Sequence, residues 1–549
     1  PLVLSNQFTG FKLQSSSSTQ NNATTIRMSY GYDANGKHLV SETLSGPCFS
    51  AKIEYLDHNA EGFPRIVRYP SGLEVKYSYA SRGRVTEVWL RQPKADGSGF
   101  WERKIATMVS DGERTTGVSF ASGSNSRVSL DSIQRPGMWT VTRADGTTAR
   151  SRSYDYHTDS GAMRNAGDWE SITYDLMGRI SGARSSSNSW VGSVVTGYQH
   201  DVFGNQIKHT ATANTKGMSN WEVAGNLVDN AMPSSLINGE TTGWVYNANG
   251  EAEALGAGPG NSAPGLTLNW DSLGRLVGAT RSDGKANEAY TYAPTGMRFE
   301  TLRPGQSGVK HVYTSGGLLL AEYSEKGMWV RDVIYANGRP IAEVSETGIH
   351  ELHLDHLGTP KIVTNMDSKQ QEAELMYGPY GEAIASRAHQ TQATAGYVPL
   401  TGYTGHVRED DTGLIYMRGR YYSPMWHRFV SSDYGLDPKS HNQFAYASAS
   451  PFENIDYNGM AWYRIWVGTK DYEIMTNNGV SIFSEEIYKW IWIDDPNDGL
   501  KPIIGGVSPH GVFVHTKPQT PKQKQRCPDD NKSASAGLLG LLGSLWDGI

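Results

Sequence analysis

Cysteine is scarce in this sequence, which contains only Cys48 and Cys527, far apart in the chain. The two could pair in principle. Small secreted domains stabilised by disulfides carry many cysteines, however, so the low count argues against such a scaffold. We expect no secretory signal peptide, and the sequence has no run of about 18 apolar residues, which argues against a membrane-spanning helix. It begins at Pro1 rather than at a methionine, and we expect a piece of a longer protein.

Charged residues make up only 19% of the sequence, and 50 basic against 56 acidic side chains leave a net charge of −6. Binding to nucleic acid depends largely on neutralising phosphates, so this balance gives no overall attraction for it. We therefore expect the main body of the protein not to bind nucleic acid. No pattern indicates a cofactor, and none is expected.

Glycine and aromatic residues are abundant instead, with 61 glycines, 29 tyrosines and an aromatic fraction of 10%. Glycine permits turns with positive φ, and aromatic rings suit the half-buried surface of a sheet. A chain of 549 residues is too long for one hydrophobic core, so several domains or a repeat architecture are expected. The composition favours an all-β repeat fold with many short strands.

One short pattern recurs: an aromatic residue, one to four polar residues, a glycine, and a basic or polar residue before an apolar pair. It predicts a strand, an Asx-type turn closed by glycine, and a returning strand. One hairpin cannot bury its own apolar face, so successive hairpins should join into a continuous curling sheet. A sandwich or a propeller is the alternative, but propeller blades need about 40–45 residues and these units are shorter. Copies lie at residues 32–36, 55–62, 174–180, 198–205, 246–250, 270–276, 335–339 and 377–383.

The pattern resembles the YD repeats of the Rhs family, of teneurins and of the C components of insecticidal toxin complexes. Residues 353–361 are similar to the signature by which the Rhs family is usually recognised, and residues 404–433 resemble the Rhs core-associated region. The resemblance covers roughly residues 28–460. It implies a YD-repeat β-hairpin spiral that forms a hollow cocoon, plugged by the C-terminal core-associated segment, around an unfolded or partly folded toxin.

The resemblance divides the chain into three parts. Residues 1–400 would form the YD-repeat β-shell, residues 401–460 the plug with an autoproteolytic site, and residues 461–549 a variable toxin segment. Rhs cores usually run considerably longer, so upstream turns or a partner subunit are expected to complete the shell.

The resemblance also implies self-cleavage. Members of the family cut their backbone after the second of two Asp-containing boxes, which here places the cut between Met460 and Ala461. The chemistry needs two carboxylates that share one proton, so that one activates water while the other donates a proton. Asp433 and Asp456 are the candidates for this pair.

Arg428 is the candidate for orienting a carboxylate or stabilising the oxyanion, with Arg420 second. Three positions depart from the family pattern: Tyr434 and Tyr457 replace proline, and Met460 replaces leucine. The first box is also one residue short. Loss of proline removes a rigid φ, whereas methionine keeps the size and apolarity of leucine. The alternative is that both aspartates only cap turns.

Two other groups of polar residues are interpreted as parts of the fold rather than as functional sites. His353 and His356 flank Asp355, but no cysteine or third histidine lies nearby, which favours hydrogen bonding over metal ligation. No metal site is expected. The run Arg408–Asp411 is most simply a solvated turn.

The pattern changes after residue 460, where the repeats stop. Residues 478–493 are amphipathic, residues 516–530 form a linker rich in Pro, Lys and Gln, and the tail 538–545 has an apolar helical face. That face would pack on protein or, less favoured, lie in a membrane interface. His510 and His515 point to opposite sides of a predicted strand, which argues against a nuclease site. The sequence leaves the activity of the payload open.

Three functions therefore remain open. The first is a self-cleaving shell that retains its own C-terminal toxin peptide, delivered by type VI secretion in competition between bacteria, with a cognate immunity protein and a secretion spike as partners. The second is a C component that joins a B component in an insecticidal complex. The third is a YD-repeat adhesion scaffold without payload. Either toxin would be secreted or delivered into a target cell.

Overall fold

A computed structural model describes the protein over residues 2–9, 12–20, 24–94, 98–112, 114–185, 192–212, 218, 220–223, 227, 230–231, 243–257, 264–305, 307–388, 397–433, 442–460, 462–464, 471–476 and 479–484. The prediction of an all-β fold is confirmed, because these stretches consist of antiparallel strands with three short 3₁₀ segments, Ser81–Gly83, Tyr403–Gly405 and Ala447–Ala449. None of the helical segments in these stretches has the length and apolar character needed to cross a membrane. The predictions for residues 485–549, including His510, His515 and the apolar tail, lie outside the described residues.

The first sheet contains 19 strands, and each strand pairs antiparallel with the next one in the chain. Such a meander is what a series of joined hairpins builds. Its strands are β1 (Leu2–Thr9), β2 (Lys12–Gln20), β3 (Thr24–Tyr32), β4 (Leu39–Gly46), β5 (Phe49–His58), β6 (Pro64–Arg68), β7 (Glu74–Tyr79), β8 (Val85–Pro93), β9 (Phe100–Asp111), β10 (Arg114–Phe120), β11 (Asn125–Leu130), β12 (Pro136–Thr142), β13 (Thr148–Tyr156), β14 (Met163–Ala166), β15 (Trp169–Tyr174), β16 (Ile180–Ser185), β17 (Val195–His200), β18 (Gln206–Ala211) and β19 (Trp221–Glu222).

The second sheet is a separate meander of 14 strands. They are β20 (Val245–Tyr246), β21 (Ala252–Leu255), β22 (Leu266–Trp270), β23 (Leu276–Arg281), β24 (Asn287–Tyr292), β25 (Arg298–Leu302), β26 (Val309–Tyr313), β27 (Leu319–Ser324), β28 (Trp329–Ala336), β29 (Arg339–Ser345), β30 (Gly348–Leu354), β31 (Pro360–Asn365), β32 (Gln371–Tyr377) and β33 (Ala383–Ala388).

Two four-stranded sheets follow. The third sheet contains β34 (Val407–Arg408), β35 (Ile415–Met417), β36 (Arg420–Ser423) and β37 (Arg428–Phe429). The fourth contains β38 (Asn454–Asp456), β39 (Trp462–Arg464), β40 (Asp471–Thr476) and β41 (Gly479–Ser484).

The repeated pattern forms the predicted hairpin turns. In the copy between β22 and β23, Asp271 Oδ1 accepts hydrogen bonds from the backbone N–H groups of Leu273 at 2.9 Å and Arg275 at 3.0 Å. Gly274 lies between them with φ of +72°, a conformation that glycine adopts without strain. Arg275 Nε then donates to Asp271 Oδ2 at 2.8 Å. The copy at Asp175 makes the equivalent contacts, so the Asp-x-x-Gly-Arg sequence closes its own turn.

The two long sheets pack against each other through their apolar faces. Alternate residues of β7 and β8, such as Val75 and Val88, share one core with Val333 of β28 and Val344 of β29. Polar contacts also cross this interface, because the backbone N–H of Val85 donates to Asn337 Oδ1 at 2.8 Å. The hairpins of the two sheets thus bury each other's apolar faces.

A buried ion cluster joins the sheets at a second point. Asp168, between β14 and β15, contacts Arg150 of β13, and its Oδ2 lies 2.8 Å from Nζ of Lys361 in β31. Arg152 Nε lies 3.2 Å from Asp168 Oδ1, and Arg150 Nη1 lies 2.9 Å from Glu374 Oε1 in β32. This cluster therefore joins the region of β13–β15 in the first sheet to β31 and β32 in the second sheet.

Candidate active site

Residues 397–433 lead from the second sheet into the third, where aromatic side chains anchor them. Tyr416 OH accepts a hydrogen bond from the backbone N–H of Arg298 at 2.9 Å, and Tyr422 OH donates to the carbonyl of Tyr380 at 2.8 Å. Tyr421 packs in the same buried cluster as Tyr290. The hairpin β35–β36 is therefore held rigidly against strands that belong to the repeats.

The prediction of a solvated turn at Arg408–Asp411 is wrong for Glu409. Glu409 is only 2% exposed and forms an ion pair with Arg298, whose side chain is fully buried. Arg303 Nη2 lies 3.5 Å from Glu409 Oε2 and adds a second positive charge. Burial raises the pKa of Glu409, and the nearby arginine charges oppose that rise. Asp410, with 84% of its side chain exposed, behaves as predicted.

The guanidinium of Arg420, at the start of β36, meets both candidate aspartates. Its Nη2 lies 3.1 Å from Asp433 Oδ2 and 3.4 Å from Asp456 Oδ2. Both oxygens contact the same nitrogen, so their separation cannot exceed the sum of these two distances. The ring of Phe429 lies under the guanidinium, with its centroid 3.6 Å from Cζ. Arg420 thus brings together two carboxylates that lie on different segments of the chain.

Arg420 also contacts the backbone on both sides of the aspartates. Its Nη1 donates to the carbonyl of Gln443 at 2.8 Å, and its Nε donates to the carbonyl of Gly459. Gly459 immediately precedes Met460, the residue after which the cut is predicted. One side chain therefore contacts both acids and the backbone next to the predicted scissile bond.

Residues 457–460 are held by hydrogen bonds to successive backbone carbonyls. The Tyr457 carbonyl accepts from Arg418 Nη1 and from His406 Nε2, each at 2.9 Å. The Asn458 carbonyl accepts from the backbone N–H of Gly419 at 2.9 Å. Because a carbonyl can only accept, His406 must carry its proton on Nε2. Burial lowers the pKa of His406 to about 3, which keeps this histidine neutral.

Two glycines allow this close approach between the β35–β36 hairpin and residues 457–460. A Cβ on Gly419 would lie 2.6 Å from Cγ of Met460 and 2.8 Å from the Asn458 carbonyl oxygen. A Cβ on Gly459 would lie 2.4 Å from the carbonyl oxygen of Met417, and Gly459 also has φ of +72°. A side chain at either position would require residues 457–460 and the hairpin to move apart.

The predicted site residues have different surroundings. Asp433, Asp456 and the carbonyl of Gly459, the residue before Met460, contact Arg420, which the sequence ranked second among the arginines. Arg428, the first choice, is buried on β37, donates to the carbonyl of Asn230, and lies over the ring of Phe444 at 4.9 Å. Burial lowers the pKa of its guanidinium. Ala461 and Tyr434 lie outside the described residues.

Sequence reasoning missed Arg418 and His406, which both donate hydrogen bonds to the carbonyl of Tyr457 before the predicted cut. The role of Arg418 could have been inferred from the sequence Arg418-Gly419-Arg420. A glycine between two arginines on a hairpin turn leaves room for another backbone segment to approach. His406 gave no comparable signal.

His353 and His356 take part in structural hydrogen bonds, as predicted. His356 Nε2 lies 2.9 Å from the carbonyl oxygen of Phe452, and His353 Nε2 lies 3.3 Å from Ser124 Oγ. Burial lowers the pKa of His353 to about 3, so its ring is neutral.

Comparison with known proteins finds distant relatives among toxins. No protein-family model matches the sequence. The tRNA3(Ser)-specific nuclease WapA of Bacillus spizizenii is 24% identical over 290 residues, which cover 51% of this chain and 12% of WapA. The toxin subunit YenC1 of Yersinia entomophaga is 24% identical over 303 residues, or 50% of this chain and 30% of YenC1.

A solved structure shares the fold. The crystal structure of TcdB2-TccC3-Cdc42 matches with a TM-score of 0.63 at 16% identity, covering 84% of this chain and 26% of that chain. The chain therefore spans less than a third of the length of each of these proteins. In its repeats, its antiparallel all-β fold and its sequence, the chain is therefore similar to toxins of the Rhs/YD-repeat type.

Proposed function

We propose that this chain is the shell and plug of an Rhs-type toxin-delivery protein that cuts its own backbone between Met460 and Ala461. Residues 1–400 form the shell, residues 401–460 the plug, and residues 461–549 the toxin segment that the shell encloses. The observation that supports the proposal is the set of contacts of Arg420 with Asp433, Asp456 and the carbonyl of Gly459.

The two aspartates have different access to water, which suggests their roles. The side chain of Asp433 is 18% exposed and that of Asp456 is 4% exposed. Asp433 therefore acts as the general base that removes a proton from water, and Asp456 as the acid. The resulting hydroxide attacks the carbonyl carbon of Met460. The C–N bond to Ala461 then breaks, and the departing amine takes the proton of Asp456.

Arg420 and the hydrogen bonds to residues 457–459 orient the two aspartates and the backbone before the scissile bond relative to each other. A well-placed reacting group contributes several orders of magnitude in rate, because the entropy of alignment is lost during folding rather than during the reaction. The guanidinium also keeps the two carboxylates close together and balances their charge.

Cleavage at this site can be tested on the purified full-length chain. We expect intact mass spectrometry and a denaturing gel to show two fragments, the smaller one beginning at Ala461. Asp433→Asn and Asp456→Asn should each leave a single chain, because amides neither accept the proton from water nor donate one as an acid. Asp410→Asn changes an exposed aspartate of the same segment and should cleave like the parent.

Several outcomes would contradict parts of this proposal. Cleavage in both Asn variants would rule out these aspartates, and a different N-terminus on the small fragment would move the scissile bond. A single uncut chain in the parent would favour the adhesion scaffold.

A second prediction follows from the close approach of Gly459 to the β35–β36 hairpin. We expect Gly459→Ala to slow cleavage about 100-fold, because the added methyl group displaces the backbone next to the scissile bond. Gly413→Ala is the matched control, since Gly413 also has positive φ but a Cβ there meets nothing within 4 Å. A time course of the uncut chain on a denaturing gel compares the two. Equal rates would show that the approach at Gly459 does not position the reacting bond.

The route of delivery has two candidates. The first is a type VI secretion effector that acts between bacteria, with a spike protein and an immunity protein as partners. The second is a C component of an insecticidal complex, which is favoured by the fold shared with TcdB2-TccC3-Cdc42 and by the relative named toxin subunit YenC1. Both require secretion or delivery into a target cell. Stable co-assembly of the full-length protein with a B component would support the second, and assembly with a secretion spike the first.

A further inference from the structure

Three potential metal ligands lie together where the two long sheets meet the third sheet. His209 belongs to β18, Glu382 immediately precedes β33, and His427 immediately precedes β37. All three are buried, with exposures of 1%, 2% and 4%. Their ligand atoms all lie within 4.8 Å of one another. Two imidazoles and one carboxylate are the donor set of many zinc sites.

The surrounding hydrogen bonds have the arrangement expected around metal ligands. His427 Nδ1 lies 3.1 Å from Gln206 Oε1, and Glu382 Oε2 accepts from the backbone N–H of Tyr380 at 2.9 Å. His209 Nε2 lies 2.8 Å from Thr196 Oγ1. Ligating histidines typically donate their other N–H group to an oxygen, and ligating carboxylates accept further hydrogen bonds.

This arrangement leaves two acceptors facing each other. An amide oxygen accepts a hydrogen bond, so Gln206 fixes the proton of His427 on Nδ1. His427 Nε2 then presents a lone pair to Glu382 Oε1, only 2.7 Å away. Such a contact is favourable only if a positive charge or a proton lies between or beside the two atoms.

The environment of Glu382 favours a cation as that charge. Within the described part of the chain, no lysine or arginine forms an ion pair with Glu382. Tyr380 stacks on the ring of His427 with centroids 4.4 Å apart, and Trp221 lies 5.8 Å from the same ring. A carboxylate in such an apolar setting carries a large desolvation cost unless it is paired.

We propose that His209, Glu382 and His427 bind a divalent transition metal ion, with Zn²⁺ the best fit, and that the ion fastens the third sheet to both long sheets. The ligands come from distant parts of the sequence, and His427 lies beside β37, which pairs with the strand that carries Arg420. Bound metal would therefore stabilise the part of the fold that holds the candidate active site. The metal site goes beyond self-cleavage and does not depend on it.

Metal content and thermal stability test the site without reference to cleavage. The full-length chain is stripped with a chelator, dialysed against ZnCl₂, and passed over a desalting column before elemental analysis. We expect one zinc ion per chain, and an unfolding midpoint about 2–4 °C higher than that of the stripped protein. Replacement by Co²⁺ should give the visible absorption bands of a tetrahedral site, a readout that needs no variant.

Glu382→Gln is the sharpest variant, because it keeps the shape and hydrogen-bonding capacity of the side chain but removes its charge. We expect its retained zinc to fall at least about tenfold, and its midpoint to stop responding to the metal. His356→Gln changes a buried, hydrogen-bonded histidine outside the cluster and should retain zinc like the parent. Absence of retained zinc and of cobalt bands in the parent, or equal zinc in Glu382→Gln, would overturn the proposal and leave a hydrogen-bonded cluster that shares a proton.

Discussion

Replacing Arg420 by lysine is expected to slow the proposed self-cleavage at least about 100-fold, whereas Arg428→Lys should leave the rate within about threefold of the parent. Both variants keep a positive charge, so a difference between them and the parent reports on the planar, forked shape of the guanidinium rather than on its charge. Arg420 uses its three nitrogens for the two aspartates, the Gln443 carbonyl and the Gly459 carbonyl. A lysine ammonium is a single point and cannot reach all of these groups.

The contacts described for Arg428 serve other parts of the fold. Its guanidinium donates to the carbonyl of Asn230 and lies near the rings of Phe444 and Trp244. A lysine there keeps the charge and one donor, so the effect on cleavage should be small.

The two variants can be compared by following the uncut chain after synthesis in a cell-free extract, with circular dichroism as a control for folding. Slow cleavage in Arg428→Lys together with normal cleavage in Arg420→Lys would restore Arg428 as the functional arginine and contradict the role given to Arg420.

The hairpins could be predicted from sequence because their determinants are local. Asp271, Gly274 and Arg275 close one turn through contacts within five residues, so the pattern is visible in the sequence itself. The same locality explains why the meander order could be predicted, since each strand pairs with its neighbour in the chain.

The arrangement of the site could be predicted only in part. The resemblance to the Rhs family supplied Asp433 and Asp456, but it could not rank Arg420 above Arg428, which lies on the neighbouring strand. The choice between the two arginines depends on which side chain faces residues 456–460. These residues are distant in sequence from both arginines, so no local pattern shows which one they contact. The burial of Glu409 likewise depends on Arg298, more than a hundred residues away, so a local run of charges suggested a solvated turn instead.

The cluster of His209, Glu382 and His427 could not be predicted at all, because its residues are still farther apart in the sequence. Spacing rules detect metal ligands that lie a few residues apart on one element. These three side chains lie on three different sheets or their connections, so no local pattern brings them together.

Asp168→Asn is expected to lower the free energy of unfolding by about 3–5 kcal/mol, because it leaves buried positive charges without their partner. Asp168 faces Arg150, Arg152 and Lys361, whose side chains are 2%, 12% and 7% exposed. Glu374 would then be the one remaining carboxylate among the ion pairs described for this cluster. Unfolding by urea, followed by tryptophan fluorescence, measures the change.

A surface ion pair provides the control for this effect. Glu102, with 32% of its side chain exposed, pairs with Lys76 and Arg91, and Glu102→Gln should cost at most about 1 kcal/mol because water screens the charges. If Asp168→Asn were no more destabilising than Glu102→Gln, the buried cluster would not be a determinant of how the two sheets pack.

The pH dependence gives an independent check on the same residue. Burial alone would raise the pKa of Asp168, but the charges of Lys361 and Arg150 outweigh it and hold the pKa well below its ordinary value of 3.8. A lowered pKa in the folded state stabilises the protein above pH 3.8, the value in the unfolded chain, and this contribution disappears as the pH falls further. The stability difference between the parent and Asp168→Asn should therefore be full at pH 7 and shrink below about pH 4. A difference that stayed constant down to pH 2 would show that lost packing, rather than lost charge, explains the variant.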